Sequence, residues 1–335
     1  MDTLIIEKKN EVYITVDCDP NIQREISEFF TFYVPGYKFM PAFRNRMWDG
    51  KIRLYSQKTK EIYFGLFPYI RAFAEERGYQ IVSGEGVEVN NSVDKEIVKK
   101  FSNSLGQKFE ARDYQIDAIY HSLKFNRALL LSPTASGKSF IIYSLIRYYS
   151  HLIKDMPNNR ILLIVPTTSL VEQMYSDFES YGWNVKKNCH RLYSGYSNQT
   201  TKKVLISTWQ SLYKLPKKYF EQFGVVFGDE AHLFKSKSLT EIMTKLEDCK
   251  YRIGLTGTLD GAHTHKLVLE GLFGAVNKVT TTKKLMDKKQ LSNLAVRCLI
   301  LKHSEANAKI ISKGKYQDEI DYLVSSKARN NFIRN

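Results

Sequence analysis

The feature that most limits how this chain can fold is an apolar run, Ala128–Leu131, that leads into Ser132-Pro133-Thr134-Ala135-Ser136-Gly137-Lys138-Ser139 and then into a helical stripe of Phe140, Ile141, Leu145 and Tyr148. Short apolar runs of the same texture recur at Ile161–Val165, Val204–Ile206, Val225–Phe227 and Arg252–Leu255, only the last of them interrupted, by Gly254. A second helical stripe, Leu170, Met174 and Phe178, follows Ile161–Val165. Short strands alternating with helices specify a parallel α/β sheet covered by helices on both faces.

The loop itself has the chemistry of a phosphate cradle. Successive backbone N–H groups and a helix N-terminus face the anion, Gly137 lets the backbone approach closely, Lys138 neutralises the outer phosphates and the Ser139 hydroxyl holds magnesium. The strict pattern has Gly where Ser132 stands, and a polar strand-to-helix turn would account for the loop taken alone. A second loop supplies complementary chemistry: Asp229-Glu230-Ala231-His232 directly follows the apolar run Val225–Phe227. Ligands of open parallel sheets gather at the carboxyl ends of the strands, so both loops are expected at one crevice. There Asp229 would hold magnesium through its water shell and Glu230 would orient or deprotonate an attacking water. An acidic pair by itself is more often a solvated surface feature.

The first 104 residues differ in texture, being rich in aromatic and basic types. Asp49-Gly50 favours a hairpin turn before Ile52 and Leu54, which would share one face while Lys51, Arg53 and Tyr55 share the other. The polar stretch 102–107 reads as a linker. Beyond residue 280, Leu294–Leu301 reads as a strand and Asp318–Phe332 as a helix, so the expected division is a small α+β module (1–104), a nucleotide-binding domain (105–280) and the start of a further domain (281–335). Fifty Lys and Arg against 35 Asp and Glu, a formal charge of +15, suit a polyanionic partner such as nucleic acid. The four cysteines are too scattered for a zinc site or a disulfide framework, and neither a signal peptide nor a long apolar span is visible, so a reduced cytoplasm is the expected location.

The two loops resemble motifs I and II of superfamily 2 helicases of the Asp-Glu-Ala-His variety. Further segments resemble that family's motifs in the same order: Arg112-Asp113-Tyr114-Gln115 the Q motif, Val165-Pro166-Thr167-Thr168 motif Ia, Ser207-Thr208-Trp209-Gln210 motif Ib and Thr256-Gly257-Thr258 motif III. The resemblance implies a RecA-like P-loop fold, ATP and Mg2+ as cofactors, and adenine recognition by Gln115 beside Arg112. It also implies coupling through His232, Thr256, Gly257 and Thr258, and backbone tracking of one DNA strand by Thr167, Thr168, Thr208 and Gln210. The family usually has Gly at the position of Ala135, where a left-handed backbone would strain alanine.

Upstream, Tyr37-Lys38-Phe39-Met40-Pro41-Ala42-Phe43-Arg44 and Trp48-Asp49-Gly50-Lys51-Ile52-Arg53-Leu54 resemble the amino-terminal module of the UvsW-type helicases of T-even bacteriophages. That family's work, branch migration, fork regression and unwinding of RNA:DNA hybrids in recombination and repair, is what the resemblance implies. Within the module, Phe43 and Trp48 are expected to form the small domain's core, and Arg44, Arg46 and Arg53 to contact phosphates without reading sequence. Branched or single-stranded DNA is therefore the expected partner.

Motors of this family hydrolyse ATP between two RecA-like domains, the second supplying arginine fingers worth about a thousandfold or more in rate. The chain reaches Asn335 without a segment resembling the later motifs, so the expectation is that these residues bind ATP and DNA, hydrolyse slowly and do not unwind. Competing readings are a restriction-type DNA translocase subunit, a non-enzymatic DNA-binding module with ATP as a structural ligand, and a P-loop kinase, which leaves the ordered motifs unexplained.

Overall fold

The computed structural model of the chain describes residues 2–259, 263–289, 291, 298, 300–302 and 304–334. They fall into two compact units divided between residues 291 and 292. The first unit begins with β1 (Thr3–Lys8) and β2 (Tyr13–Asp17), whose alternate residues Leu4, Ile6, Ile14 and Val16 are buried. Helix α1 (Pro20–Phe29), capped by the Asp19 carboxylate, turns Ile22 and Ile26 onto that face. There follow β3 (Thr31–Tyr33), α2 (Pro41–Arg44), β4 (Lys51–Arg53), β5 (Tyr55–Ser56), β6 (Glu61–Tyr63), α3 (Phe67–Arg77) and β7 (Gln80–Ser83). The small sheet has the order β5-β6-β2-β1-β7, while β3 and β4 form a separate antiparallel ribbon.

This arrangement corrects three expectations about the module. Gly50 does sit in a turn, at φ 79°, but Asp49-Gly50 does not join adjacent strands, because the partner of β4 is β3, with α2 inserted between them. The chain then switches sheets at buried Leu54, so Tyr55 lies in the core with its hydroxyl donating to the Val16 carbonyl (3.2 Å) instead of facing outward beside Lys51 and Arg53. Phe43 and Trp48 are only half-buried, because Phe30, Phe64, Phe67 and Phe73 already fill the core of the small sheet.

Next come α4 (Lys95–Asn103), α5 (Asp113–Phe125), β8 (Arg127–Leu131), α6 (Lys138–Leu152), β9 (Arg160–Val165), α7 (Thr168–Ser180), β10 (Cys189–Leu192), β11 (Val204–Thr208), β12 (Phe223–Asp229), β13 (Tyr251–Thr256) and β14 (Val276–Lys278). The seven strands β8 to β14 form one parallel sheet in the order β10-β11-β9-β12-β13-β8-β14. Sequence reasoning finds the five inner strands and misses the two at the edges. Both faces are covered: Ala128, Leu130, Ile161 and Leu163 pack into one core with residues of α5, α6 and α7, while Leu129, Leu162 and Ile164 point into the other. The stretch 102–107 is no free linker, since it starts within α4, and Ser102 and Leu105 are buried.

The second of these cores is continuous with that of the small sheet, so module and motor domain share a hydrophobic interior. At the junction, a Cβ on Gly65 would meet the Glu270 carbonyl at 2.0 Å, and the Tyr69 hydroxyl donates to Glu270 Oε2 (2.6 Å). The turn between β1 and β2 brings Glu11 onto two buried guanidinium groups at the starts of β8 and β13. Arg127 donates to the Glu11 carbonyl (2.5 Å) and to Oε2 (2.9 Å), and Arg252 reaches the same carbonyl at 3.4 Å. Arg252 spends its remaining donors on the carbonyls of Met243, Leu246 and Leu272.

The second unit contains helices Glu305–Ile311, Tyr316–Ser325 and Lys327–Arg334. The single helix expected over 318–332 is thus broken, at Ser326, whose ψ of 104° is extended. Of the expected strand Leu294–Leu301 only Cys298, Ile300 and Leu301 are described, so that expectation lies largely outside the described residues. Among the described residues no helix is long and apolar enough to cross a membrane.

Candidate functional site

Strands β8 and β12 flank β13, so the loops after all three open along the same rim of the sheet. The rim is stitched together from strand to strand, the Ser132 N–H donating to the Thr256 carbonyl at 2.8 Å. Ser132, standing where glycine is usual, is fully buried and its hydroxyl pairs with that of Ser136 (2.6 Å). The Ser136 hydroxyl also donates to the Pro133 carbonyl (2.6 Å), so the loop is braced from within. Thr134 and Ala135 lie exposed at its tip. Gly137 opens α6 at φ 81°, and a Cβ there would lie 2.3 Å from the Gln115 amide nitrogen.

Gln115 is thereby placed differently from expectation. It is buried, its carbonyl oxygen accepts from the Arg112 N–H (2.9 Å), and its amide donates to the Ser136 carbonyl (2.9 Å). Both ends of the side chain are spent on the phosphate loop and the start of α5, which leaves no free edge for adenine in this conformation. Tyr114 joins it: its hydroxyl donates to the same Ser136 carbonyl (3.1 Å) and accepts from Arg112 Nη1 (2.7 Å). A cavity of about 490 Å³ beside them is lined by Arg112, Tyr114, Val279, Lys284 and Lys288.

Across the rim, Lys138 Nζ donates to Glu230 Oε1 at 2.9 Å, joining residues 92 positions apart in sequence. Glu230 itself sits at φ 48°, a left-handed backbone that turns its carboxylate back over the rim. Asp229 is 3% exposed, and its Oδ1 has no hydrogen-bond partner among the described residues. Burial pushes the Asp229 carboxyl above the usual carboxylate range, against the opposing pull of Lys138. A buried acceptor left unmet costs about 1–3 kcal/mol, which a divalent cation would relieve. No cluster of three or more His, Cys, Asp and Glu among the described residues could hold a metal by itself. The donor set therefore fits an ion shared between Asp229, Ser139 and the phosphates of a nucleotide. The low-dielectric setting of the buried Asp229 carboxylate explains the pKa direction.

His232 and the loop after β13 meet as well. His232 Nδ1 is 2.9 Å from Thr256 Oγ1 and 3.4 Å from Glu230 Oε2, and Thr256 Oγ1 donates to the Thr258 carbonyl (2.8 Å). A Cβ on Gly257 would lie 3.9 Å from both Lys138 Nζ and the Thr134 nitrogen, so the 256–258 segment lies against the phosphate loop.

At the ends of β9 and β11, Thr167, Thr168 and Gln210 are exposed, whereas Thr208 is buried with its hydroxyl 3.2 Å from that of Ser211. Burial removes Thr208 from the surface that a strand could touch. In the module, Arg44 and Arg46 are exposed and line an open pocket of about 620 Å³ with Lys38, Phe43, Met47 and Trp48. Neither has an ion-pair partner among the described residues, while Arg53 is paired with Asp49. Tyr33, Tyr37 and Phe43 form a packed aromatic row beside this pocket, with Lys51 over Tyr33.

Ala135 does adopt the left-handed backbone, at φ 62°. That conformation costs an L residue about 1–2 kcal/mol, more than the about 0.5–1 kcal/mol of chain entropy that glycine adds. Ala135→Gly is accordingly expected to stabilise the protein by about 0.5–1 kcal/mol in chemical denaturation, and Ala135→Val to do the reverse.

Family models match two segments of the chain: the amino-terminal domain of the DNA helicase UvsW at residues 6–83, and the res subunit of type III restriction enzymes at residues 108–261. The ATP-dependent DNA helicase uvsW of Enterobacteria phage T4 is 31% identical over 330 residues, which is 96% of this chain and 65% of that protein. A crystal structure of the UvsW helicase from bacteriophage T4 superimposes with a TM-score of 0.75 at 31% identity, covering 83% of this chain and 100% of that one. A second crystal structure of T4 UvsW gives 0.76 at 30% identity over 99% of this chain and 66% of that one. The chain thus spans about two-thirds of the length of its phage relative.

Proposed function

Because the chain belongs to the UvsW helicase family, we propose that it is the nucleotide-binding and DNA-gripping part of an ATP-dependent DNA helicase. The observation that carries this reading is the meeting of Lys138 with Glu230 beside the unmet oxygen of Asp229. Residues 1–104 supply a DNA-contacting module, 105–280 the RecA-like ATPase domain and 281–335 the beginning of a second such domain. The substrates are branched DNA, single strands and RNA:DNA hybrids, bound without regard to sequence, in recombination, repair and fork regression in the cytoplasm of a host cell.

In the mechanism we assign, Lys138 leaves Glu230 to neutralise the outer phosphates, and Glu230 is freed to accept a proton from, or align, the attacking water. Asp229 and the Ser139 hydroxyl would hold magnesium, which when bound would supply positive charge to offset that building on the transferred phosphoryl group. His232, bonded to Thr256, links the acidic loop to the 256–258 segment, so that a change at Glu230 is felt by the strand end beside it. Thr167, Thr168 and Gln210 hold the backbone of one DNA strand, and Arg44 and Arg46 anchor duplex or branched arms through their phosphates. Arg53 contributes less, its charge being shared with Asp49.

A restriction-type translocase is the second reading, favoured by the match of residues 108–261. The match of residues 6–83 to the UvsW module favours the helicase. Binding of labelled four-way junctions, single strands and RNA:DNA hybrids tests the DNA assignment. Arg44→Ala and Arg46→Ala should weaken all sequences alike and each lower the slope of log K against log salt by about one. Unaltered slopes in both variants would remove the module from the DNA interface.

A further inference from the structure

The phosphate loop has a partner that none of the motifs includes. Tyr181, immediately after α7, places its hydroxyl 2.9 Å from that of Ser139. Its ring is fixed between Phe109, Phe140 and Tyr143, with centroids 5.8, 5.6 and 5.1 Å away, so the phenol has little freedom to leave. The Ser139 hydroxyl is thus held from the end of α7.

We propose that Tyr181 is a positioning residue that holds the Ser139 hydroxyl in the nucleotide-free protein and yields it when Mg2+-nucleotide binds. The inference rests on the metal-site reading given above. A hydroxyl has one proton to donate and two lone pairs to offer, and ligation of a divalent cation needs a lone pair turned toward the ion. With Tyr181 as the donor, its bond occupies one of those lone pairs and holds the Ser139 torsion, so that offering the hydroxyl to the metal weakens that bond. Helix α7 begins at Thr168 and is capped by the Thr167 hydroxyl, so it joins the DNA-facing end of the domain to the group that releases Ser139. Phosphate-loop chemistry and strand grip would then meet through one rigid element of 13 residues.

The test is the Mg2+ concentration needed for half-maximal binding of a fluorescent ATP analogue, compared with binding of the same analogue in EDTA. Tyr181→Phe keeps the ring and removes the bond. It should lower the Mg2+ midpoint by about 3- to 10-fold, the worth of one hydrogen bond, while binding in EDTA stays at the wild-type value. In a Ser139→Ala background the same substitution should change nothing. An unchanged or raised midpoint in Tyr181→Phe, or an equal shift with Ser139→Ala, overturns the inference and leaves the nucleotide site standing. Wild-type binding that is indifferent to Mg2+ overturns the metal-site reading itself.

Discussion

Glu230→Gln is expected to lower single-turnover ATP hydrolysis by about 10²- to 10⁴-fold, the usual worth of a positioned general base, while nucleotide binding is retained. Protein in excess over nucleotide keeps a slow wild-type rate readable. The reasoning is geometric. Glu230 is turned over the rim by its left-handed backbone and held by Lys138 at 2.9 Å, and glutamine preserves the shape of the side chain while removing its capacity to take a proton. Binding should even tighten slightly, since Lys138 no longer has a carboxylate to leave. Equal turnover in the variant and the wild type would make ATP a structural ligand and favour a DNA-binding module without catalysis.

The second large effect concerns stability. Glu11→Ala should cost about 3–5 kcal/mol in chemical denaturation, because it strands a buried guanidinium with no counter-charge. Arg127 is 9% exposed and its Nη1 already lacks a partner among the described residues, so little water can replace the carboxylate. The pair also sets a pH dependence. Burial pushes the Glu11 carboxyl up, but Arg127 and Lys8 together pull it below its ordinary value near 4.5. A carboxyl with a depressed folded-state pKa stabilises fully above the unfolded value and loses that contribution as pH falls through the folded one. Stability from this pair should therefore hold from neutrality to about pH 5 and decline below about pH 4.5, and the decline should be shallower in Glu11→Ala. A loss below about 1 kcal/mol would mean that the contact is no better than a surface ion pair.

How far the sequence could carry these conclusions differs from place to place. The inner strands and the two loops are legible because burial on both faces demands continuous apolar runs and because phosphate chemistry demands glycine, lysine and a hydroxyl in a fixed order. Strands β10 and β14 escape since edge strands are short and polar: Cys189-His190-Arg191-Leu192 has no run to detect. Gln115 is identified by motif, yet its contact with the Ser136 carbonyl depends on how α5 meets the loop, which no local pattern encodes. Tyr181 carries no signal at all, being one aromatic among 21 tyrosines whose relevance comes from a neighbour 42 residues away.

The module shows the limits more sharply. Aromatic residues around Trp48 predict a core because large side chains in a small domain usually bury, but the five-stranded sheet has its own supply and leaves Phe43 and Trp48 half-buried beside the exposed arginines. Arg127 immediately precedes the predicted strand Ala128–Leu131 and Arg252 opens the predicted strand Arg252–Leu255, places where charge is ordinary. Nothing in their surroundings in sequence announces that a turn more than 100 residues away closes over them. The same closure makes module and motor one packed body, so that the surface carrying Arg44 and Arg46 stands in a fixed relation to the nucleotide rim.

The most direct measurement of the central claim replaces Mg2+ with Fe2+ in the presence of ATP, adds hydrogen peroxide and ascorbate, and maps the peptide bonds cut by hydroxyl radicals formed at the metal. A cation shared by Ser139 and Asp229 should cut the chain near both residues, and Asp229→Ala should abolish both cuts together. Cleavage confined to one loop, or cuts that survive the substitution, would show that the two loops do not serve a common ion.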